Sequence, residues 1–220
     1  MFSDTLLIYD PGPAAFDENQ MPISVMWLCE FAQDLMYRLI SSDIHFRALL
    51  TVGEFKSSDL NNFRYFFGGA LVDTYLYEKK IESTGLYMHK SLVPYSNIFK
   101  TAPYDSSYSF VFLTQNLNFI AENFAHNSPS DMAYIVRLEG LEWLYVYDFV
   151  YLKNIYTNMN NTDLLGSVRT KYLNTWHMLS VQYGQLLSIL VANNFDPRCI
   201  IDLDWNPWIL KVKNKQGFHG

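Results

Sequence analysis

The stretch from residue 46 to residue 88 constrains the fold of this chain more than any other. Its first segment, Phe46 to Val52, is apolar, ends on a β-branched residue and stops at a glycine, which predicts a strand and a turn. After an exposed connection and a Gly-Gly pair, an amphipathic segment predicts a helix from about Ala70 to Ile81. Gly85 ends that helix, and Leu86 to Met88 begins another strand. We expect the rest of the chain to be arranged around this unit of strand, helix and strand.

Composition and charge limit the kinds of protein that this chain can be. Half of its 220 residues are hydrophobic and 17% are charged, which is ordinary for a folded protein. Its net charge of −6, without a cluster of Lys and Arg, argues against nucleic-acid binding. Cys29 and Cys199 are too few for a disulfide framework, and no segment resembles a signal peptide or a membrane span. We therefore expect a cytoplasmic protein with neither a nucleic-acid nor a membrane partner.

Upstream of the central unit, the sequence predicts one strand and one long helix. Thr5 to Tyr9 is a short apolar run before a Pro-Gly breaker, which predicts a strand. Pro22 fits the first turn of a helix from about Ile23 to Ser41. The spacing of large apolar residues in that helix predicts the buried stripe, which is Leu28, Phe31, Leu35 and Leu39.

Downstream of the central unit, the periodicity is mainly helical from about Phe110 to Asn194. The segment Leu141 to Ile155 is apolar on nearly all sides, which is typical of a helix buried between others or in a subunit contact. A last long helix is predicted from about Asp163 to Asn194, because apolar residues recur there at spacings of three and four.

Four polar residues are candidates for a functional site. Asp73 and Tyr77 lie four residues apart, so they share one face of the predicted helix, which fits packing against the sheet as well as a nucleotide contact. Asp4 begins the first predicted strand, where a carboxylate either stays at the strand edge or points into a site. Arg47 is the second residue of the strand predicted from Phe46 and could pair with a surface carboxylate instead of a ligand. The histidines are scattered without the spacing of a zinc site.

Several pieces of the sequence, taken in order, resemble the catalytic domain of class III nucleotide cyclases. The pieces are FSDTLLIY, RALLTVGEF, FGGALVDTYLYEK and the Gly-Leu pair that follows at Gly85. The resemblance is closest to the divergent bacterial branch that includes the pyrimidine (uridylate and cytidylate) cyclases of antiphage signalling. It spans residues 1–91 and implies a partial cyclase-like domain over residues 1–104, followed by a mainly helical C-terminal region over residues 105–220.

The resemblance implies an α+β fold with a ferredoxin-like, cyclase-type sheet that lacks its first strand in this chain. It implies conversion of a nucleoside triphosphate to a 3′,5′-cyclic monophosphate and pyrophosphate by a homodimer that uses two divalent ions, Mg²⁺ or Mn²⁺. Asp4 falls on the second of the family's two metal aspartates, and the first would lie upstream of Met1. An N-terminally incomplete form, a decayed enzyme, or a further segment or subunit that fills the gap would each explain this.

The predicted helix departs from the pattern of the purine-specific members. Those members carry Asn and, four residues later, Arg, where this chain has Asp73 and Tyr77. Because tyrosine lacks the fixed charge of arginine, stabilising the α-phosphate would need another cation, from Arg47, Arg64 or Lys90. Two alternatives to an active cyclase stay open: an inactive nucleotide-binding or regulatory descendant, and an interaction protein that works through its helical half.

Overall fold

The computed structural model describes residues 6–9, 19–60, 63–140 and 142–214. The described strands are β1 (Arg47–Leu50), β2 (Lys56–Leu60), β3 (Phe63–Phe67), β4 (Gly85–His89), β5 (Thr101–Pro103) and β6 (Tyr108–Val111). The described α-helices are α1 (Met21–Ile40), α2 (Gly69–Glu78), α3 (Leu117–Asn123), α4 (Pro129–Glu139), α5 (Glu142–Asn160), α6 (Gly166–Ala192) and α7 (Asn206–Lys213). Two 3₁₀ helices span Lys90–Tyr95 and Pro197–Cys199.

Four strands form one mixed sheet in the order β1-β4-β6-β5. β1 runs parallel to β4, with Arg47 opposite Gly85, and β6 is antiparallel to both β4 and β5. The strands predicted around residues 46–52 and 86–88 are therefore present, and they are direct neighbours. The α+β class is confirmed, whereas the described strands do not confirm the ferredoxin-like order of a cyclase.

The exposed connection that we predicted between β1 and α2 is instead a two-stranded hairpin. β2 and β3 pair antiparallel, with Lys56 opposite Phe67. At the end of this hairpin Gly68 has φ of +141°, and an added Cβ would overlap the Glu54 carbonyl oxygen. Glycine is required there because no other residue lets the hairpin return so close to its own start before α2 begins.

The buried stripe that we predicted for α1 is wrong. Phe31 is 43% exposed, and the three predicted leucines are only half-buried. The residues that face the core include two polar ones, and the set is Val25, Cys29, Ala32, Gln33, Met36, Tyr37 and Ile40. Gln33 donates to the Leu113 carbonyl oxygen and accepts a hydrogen bond from the Gln115 amide, so both its amide nitrogen and its amide oxygen have partners. Apolar residues cover more than one face of α1, and spacing alone therefore selected the wrong face.

The strand predicted from Thr5 to Tyr9 is not present over its described part. Residues 6–9 belong to no strand and are exposed, with Leu6 at 65%. The Tyr9 ring nevertheless contacts Phe55 and Phe66, with ring centroids 4.9 and 5.8 Å away. The segment therefore lies against the hairpin through Tyr9, and residues 6–9 do not pair with the sheet.

The hydrophobic core joins the sheet to the helices of the second half. β6 is buried along its whole length, and α5 buries residues from Tyr145 to Asn158, which confirms the predicted buried helix. One cluster of buried side chains contains residues from both sides of residue 104. The predicted last long helix is present as α6, with a kink at Tyr183. No helix in the described part of the chain is both long and apolar enough to cross a membrane.

Candidate functional site

Three strand ends meet at one edge of the sheet. The parallel strands β1 and β4 end next to each other, at Leu50 and His89, and β6 begins at Tyr108 directly opposite His89. Thr51 follows β1, and its side chain hydrogen-bonds the Tyr108 hydroxyl. The carboxyl ends of neighbouring parallel strands are a common place for ligands in α/β sheets. We define this edge, formed by Thr51, His89 and Tyr108, as the strand-end cluster.

Helix α2 places both of its predicted site residues beside the strand-end cluster. The Tyr77 ring lies on the Tyr108 ring, with centroids 4.2 Å apart and planes inclined by 30°. The Asp73 carboxylate is exposed, yet it lies close enough to act on Tyr108. Burial raises the pKa of Tyr108 above its usual value, and the negative charges of Asp73 and Asp105 raise that pKa further. The fold therefore brings Asp73 and Tyr77 together at one edge of the sheet.

His89 is held in one orientation at this edge. Its Nδ1 accepts a hydrogen bond from the Ser91 backbone N–H at 3.3 Å, and the Ser91 hydroxyl lies 2.8 Å from the same nitrogen. Because Nδ1 is an acceptor, the proton of neutral His89 is on Nε2, which can donate to another group. The His89 ring meets the Tyr108 ring edge to face at 5.4 Å. The cluster therefore offers an oriented imidazole donor next to the Tyr108 ring.

Arg47 lies at the other end of β1. Its guanidinium pairs with the Glu78 carboxylate and donates to the Ile81 carbonyl oxygen, while its Nε is buried without a hydrogen-bond partner. Thr51 lies four positions further along the extended chain than Arg47, a length of about 13 Å. The structure does not bring Arg47 to Asp73 and Tyr77. Its contacts fix the end of α2 to the start of β1.

The remaining predicted site residues are placed less favourably or lie outside the described residues. Asp4 is outside them, and of Arg64 only the backbone is described. Lys90 is exposed, and its backbone N–H donates to the Ser107 carbonyl oxygen at 2.9 Å. A cation that the sequence argument missed is Lys80, whose Nζ lies 5.7 Å from the Tyr77 ring centroid.

The strand-end cluster could not be recognised as a unit from the sequence. Thr51 lies next to the last residue of the strand predicted from Phe46 to Val52, and His89 directly follows the one predicted from Leu86 to Met88, so a polar side chain near a strand end was the available signal. Tyr108 could not be linked to them, because its position depends on the antiparallel pairing of β4 with β6.

The side chains of the described residues do not by themselves form a metal site. No group of three or more His, Cys, Asp or Glu side chains that could hold an ion occurs among the described residues. Asp73 supplies one exposed carboxylate, whereas Mg²⁺ and related ions are usually held by one or two carboxylates together with substrate phosphates. The described residues alone therefore do not fit the two-ion arrangement that the cyclase resemblance implies.

A second polar group lies inside the protein and joins α1 to α5. Asp148 is fully buried; it accepts a hydrogen bond from the Tyr37 hydroxyl at 3.0 Å and one from the Asn116 amide at 3.3 Å. Asn116 also donates to the Tyr37 oxygen at 2.9 Å. Burial raises the pKa of Asp148 to about 8. Tyr37, Asn116 and Asp148 are all hydrogen-bonded within the group, and Asp148 is closed to solvent. We therefore interpret the group as one that stabilises the fold.

Comparison with known proteins identifies no relative. No family model matches the chain, and neither a curated protein nor a solved structure matches it significantly. The geometry at the strand-end cluster and α2 is therefore the basis for a functional proposal.

Proposed function

We propose that this chain is a nucleotide cyclase-like protein that binds a nucleoside triphosphate between α2 and the strand-end cluster. The observation that carries the proposal is the placement of Asp73 and Tyr77 beside Thr51, His89 and Tyr108. This set combines a carboxylate, several hydroxyls and an imidazole donor with an aromatic ring at the ends of two parallel strands. Such a mixture suits a ribose, a base and a phosphate better than it suits an apolar ligand.

The proposed reaction is an internal transfer within the bound triphosphate. The ribose 3′ oxygen forms a bond to the α-phosphorus, the bond to pyrophosphate breaks, and the hydroxyl proton passes to solvent. In this scheme Asp73 accepts hydrogen bonds from the ribose or the base, and Tyr77 donates to the α-phosphate. In this scheme the His89 Nε2–H donates to a phosphate oxygen, since Nδ1 is engaged by Ser91.

Mg²⁺ or Mn²⁺ would supply the charge neutralisation that this reaction needs when bound. In the proposal Asp4 and the substrate phosphates hold the ion, and Asp4 lies outside the described residues. The roles proposed for Asp73, Tyr77 and His89 are to bind and orient the substrate, and none of them depends on contact with the ion.

One observation favours a second candidate, a descendant that binds nucleotide without turning it over. Arg47 is committed to Glu78 and Ile81, so the guanidinium that could have replaced the family's arginine is engaged elsewhere. Without a fixed cation at the α-phosphate, binding would survive better than catalysis, because transition-state charge is what the arginine stabilises. This candidate uses the same residues and predicts binding without product.

The test separates the two candidates by measuring binding and product in one preparation. The 220-residue chain is titrated with each of the four triphosphates in the presence of Mn²⁺ by calorimetry, and the mixtures are then assayed for cyclic monophosphate. Cyclic product supports the cyclase, and saturable binding without product supports the descendant. Absence of both under all four triphosphates overturns the proposal.

Variants on one helix give matched controls for the same titration. Asp73→Ala and Tyr77→Phe each remove a polar group from the proposed site, and we expect each to weaken binding by about tenfold. Tyr75→Phe removes the same hydroxyl from the outward side of α2, where Lys79 lies over the Tyr75 ring at 4.1 Å. If Tyr75→Phe and Tyr77→Phe weaken triphosphate binding equally, the hydroxyl of Tyr77 has no special role.

A further inference from the structure

The outward side of α2 and the neighbouring strand β3 expose an unusual amount of apolar surface. Although α2 has ten residues, it buries none of them. We define the α2–hairpin face by five apolar side chains that expose 42–55% of their surface, which are Tyr65, Phe67, Val72, Tyr75 and Leu76. Phe66 points to the opposite side of β3, because side chains alternate along a strand, and it contacts Phe55 there. A short helix gains most of its stability from packing its apolar stripe, and this stripe is turned towards solvent.

The face is large enough for a protein contact. An aromatic side chain has about 150–250 Å² to bury, so the five side chains, each about half exposed, together expose roughly 450 Å². This is more than half of the ~800 Å² that each partner buries in a standard interface. It matches the largest apolar patch of a typical monomer, and such a patch is often functional.

The charges that border the face are arranged to match a second copy of the same face. Asp73 and Lys80 lie seven residues apart, which is about two helical turns, so both lie on the same flank of α2. When two such helices pack antiparallel across a two-fold axis, the flank of one meets the same flank of the other in reversed order. Asp73 of each copy then lies opposite Lys80 of the other, and Leu76 lies near the axis.

We infer that a second copy of this chain covers the α2–hairpin face, with the two α2 helices antiparallel. Two apolar stripes are buried at once, and each copy contributes its Lys80 beside the other copy's Asp73. Antiparallel packing also opposes the two helix dipoles, which a parallel pair would align unfavourably. The proposed function implies a homodimer without specifying the face, and this inference assigns the face and the helix orientation. It rests on surface and charge alone and does not require nucleotide binding.

Crosslinking at the inferred axis is the sharpest test. In Leu76→Cys the two new thiols would lie close together, so oxidation with copper-phenanthroline should give a disulfide-linked dimer. The matched control is Leu138→Cys on α4, since Leu138 is 69% exposed and lies away from the face. The unsubstituted chain controls for Cys199, the native cysteine that is not fully buried. Linkage in both variants, or in neither, overturns the assignment.

Sedimentation across a micromolar concentration series tests the association itself. We expect a dimer that Leu76→Asp dissociates, with the dissociation constant raised at least about tenfold, while Leu138→Asp leaves it unchanged. Circular dichroism of Leu76→Asp checks that the fold is intact. Lys80→Glu should also weaken the dimer, and adding Asp73→Lys should restore it, a rescue that misfolding cannot mimic. A monomer at all concentrations, or binding to anionic lipid vesicles in place of self-association, contradicts the inference whatever the nucleotide titration shows.

Discussion

Helices α2 and α5 bury their residues to very different extents. α5 buries eight of its residues, whereas α2 buries none and exposes three apolar side chains. The strand-end cluster lies at the edge of the sheet beside α2. The Asp148 group, whose polar side chains all have hydrogen-bond partners, lies in the interior beside α5. The difference indicates that the stability of the fold comes mainly from the α5 side, and that the α2 side is available for ligands and partners. Elements of low local stability are also the ones that binding most easily orders.

The strongest test of this contrast uses two leucines in the same two helices. Leu152 on α5 is fully buried, and Leu76 on α2 is 55% exposed. We expect Leu152→Ala to lower the free energy of unfolding by about 4 kcal/mol and Leu76→Ala by less than about 1 kcal/mol, because only the first opens a cavity. Urea denaturation of both variants, at concentrations where the chain is monomeric, measures the difference. If both variants lower the free energy of unfolding equally, α2 stabilises the fold as much as α5 does.

The Asp148 group predicts a pH dependence that belongs to the α5 side. The pKa of this carboxyl rises from 3.8 to about 8 on folding, so the folded chain holds a proton that the unfolded chain has released. Stability from this group is therefore greatest at low pH and falls as pH rises towards 8. Between about pH 6.5 and pH 8 we expect the free energy of unfolding to fall by an amount on the order of 2 kcal/mol.

Asp148→Asn isolates this contribution, because asparagine keeps the shape but does not titrate. We expect the variant to lose the part of the pH dependence described above and to gain stability relative to the parent at pH 8. Denaturation curves at several pH values give both quantities. A variant that shows the parent's full pH dependence would place the titration on another group.

The smallest predicted effect concerns the contact that fixes α2 to β1. Glu78→Gln weakens the pair with Arg47, which is partly buried, with 22% of the arginine side chain exposed. We expect a loss of about 1 kcal/mol, felt as faster amide hydrogen exchange in α2 with little change in α5. Glu54→Gln is the control, since Glu54 pairs with Lys56 at the surface and should contribute almost nothing. Uniform faster exchange across all helices would contradict a local role.

Local patterns predicted the central unit well, because its strands and α2 are each marked by apolar runs and glycines. The hairpin was missed since Phe63 to Phe67 is an aromatic run without clear alternation. The buried face of α1 was predicted wrongly because Gln33 and Tyr37 are buried with partners far away in sequence. The pattern of neighbouring residues in the sequence gives no information about contacts between residues that are far apart in the chain.

The residues of the candidate site also fall into two groups, those that local spacing could predict and those that depend on long-range packing. Asp73 and Tyr77 could be predicted together, because helical spacing fixes their relation. Arg47 could not be assigned, since its partner Glu78 is 31 residues away and is chosen by how α2 lies on β1. Thr51, His89 and Tyr108 lie together because of how β1, β4 and β6 pair, and that register could not be predicted from the sequence.

Hydrogen exchange with and without nucleotide tests most directly the claim that the α2 side is the binding side. The chain is exchanged alone and with each triphosphate plus Mn²⁺, and peptides covering α2, the end of β4 and the start of β6 are compared with peptides from α5 and α6. We predict that at least one triphosphate slows exchange in α2 and around His89 and Tyr108, with α5 and α6 unchanged. Slowing confined to α5 and α6, or no change with any triphosphate, would contradict the account.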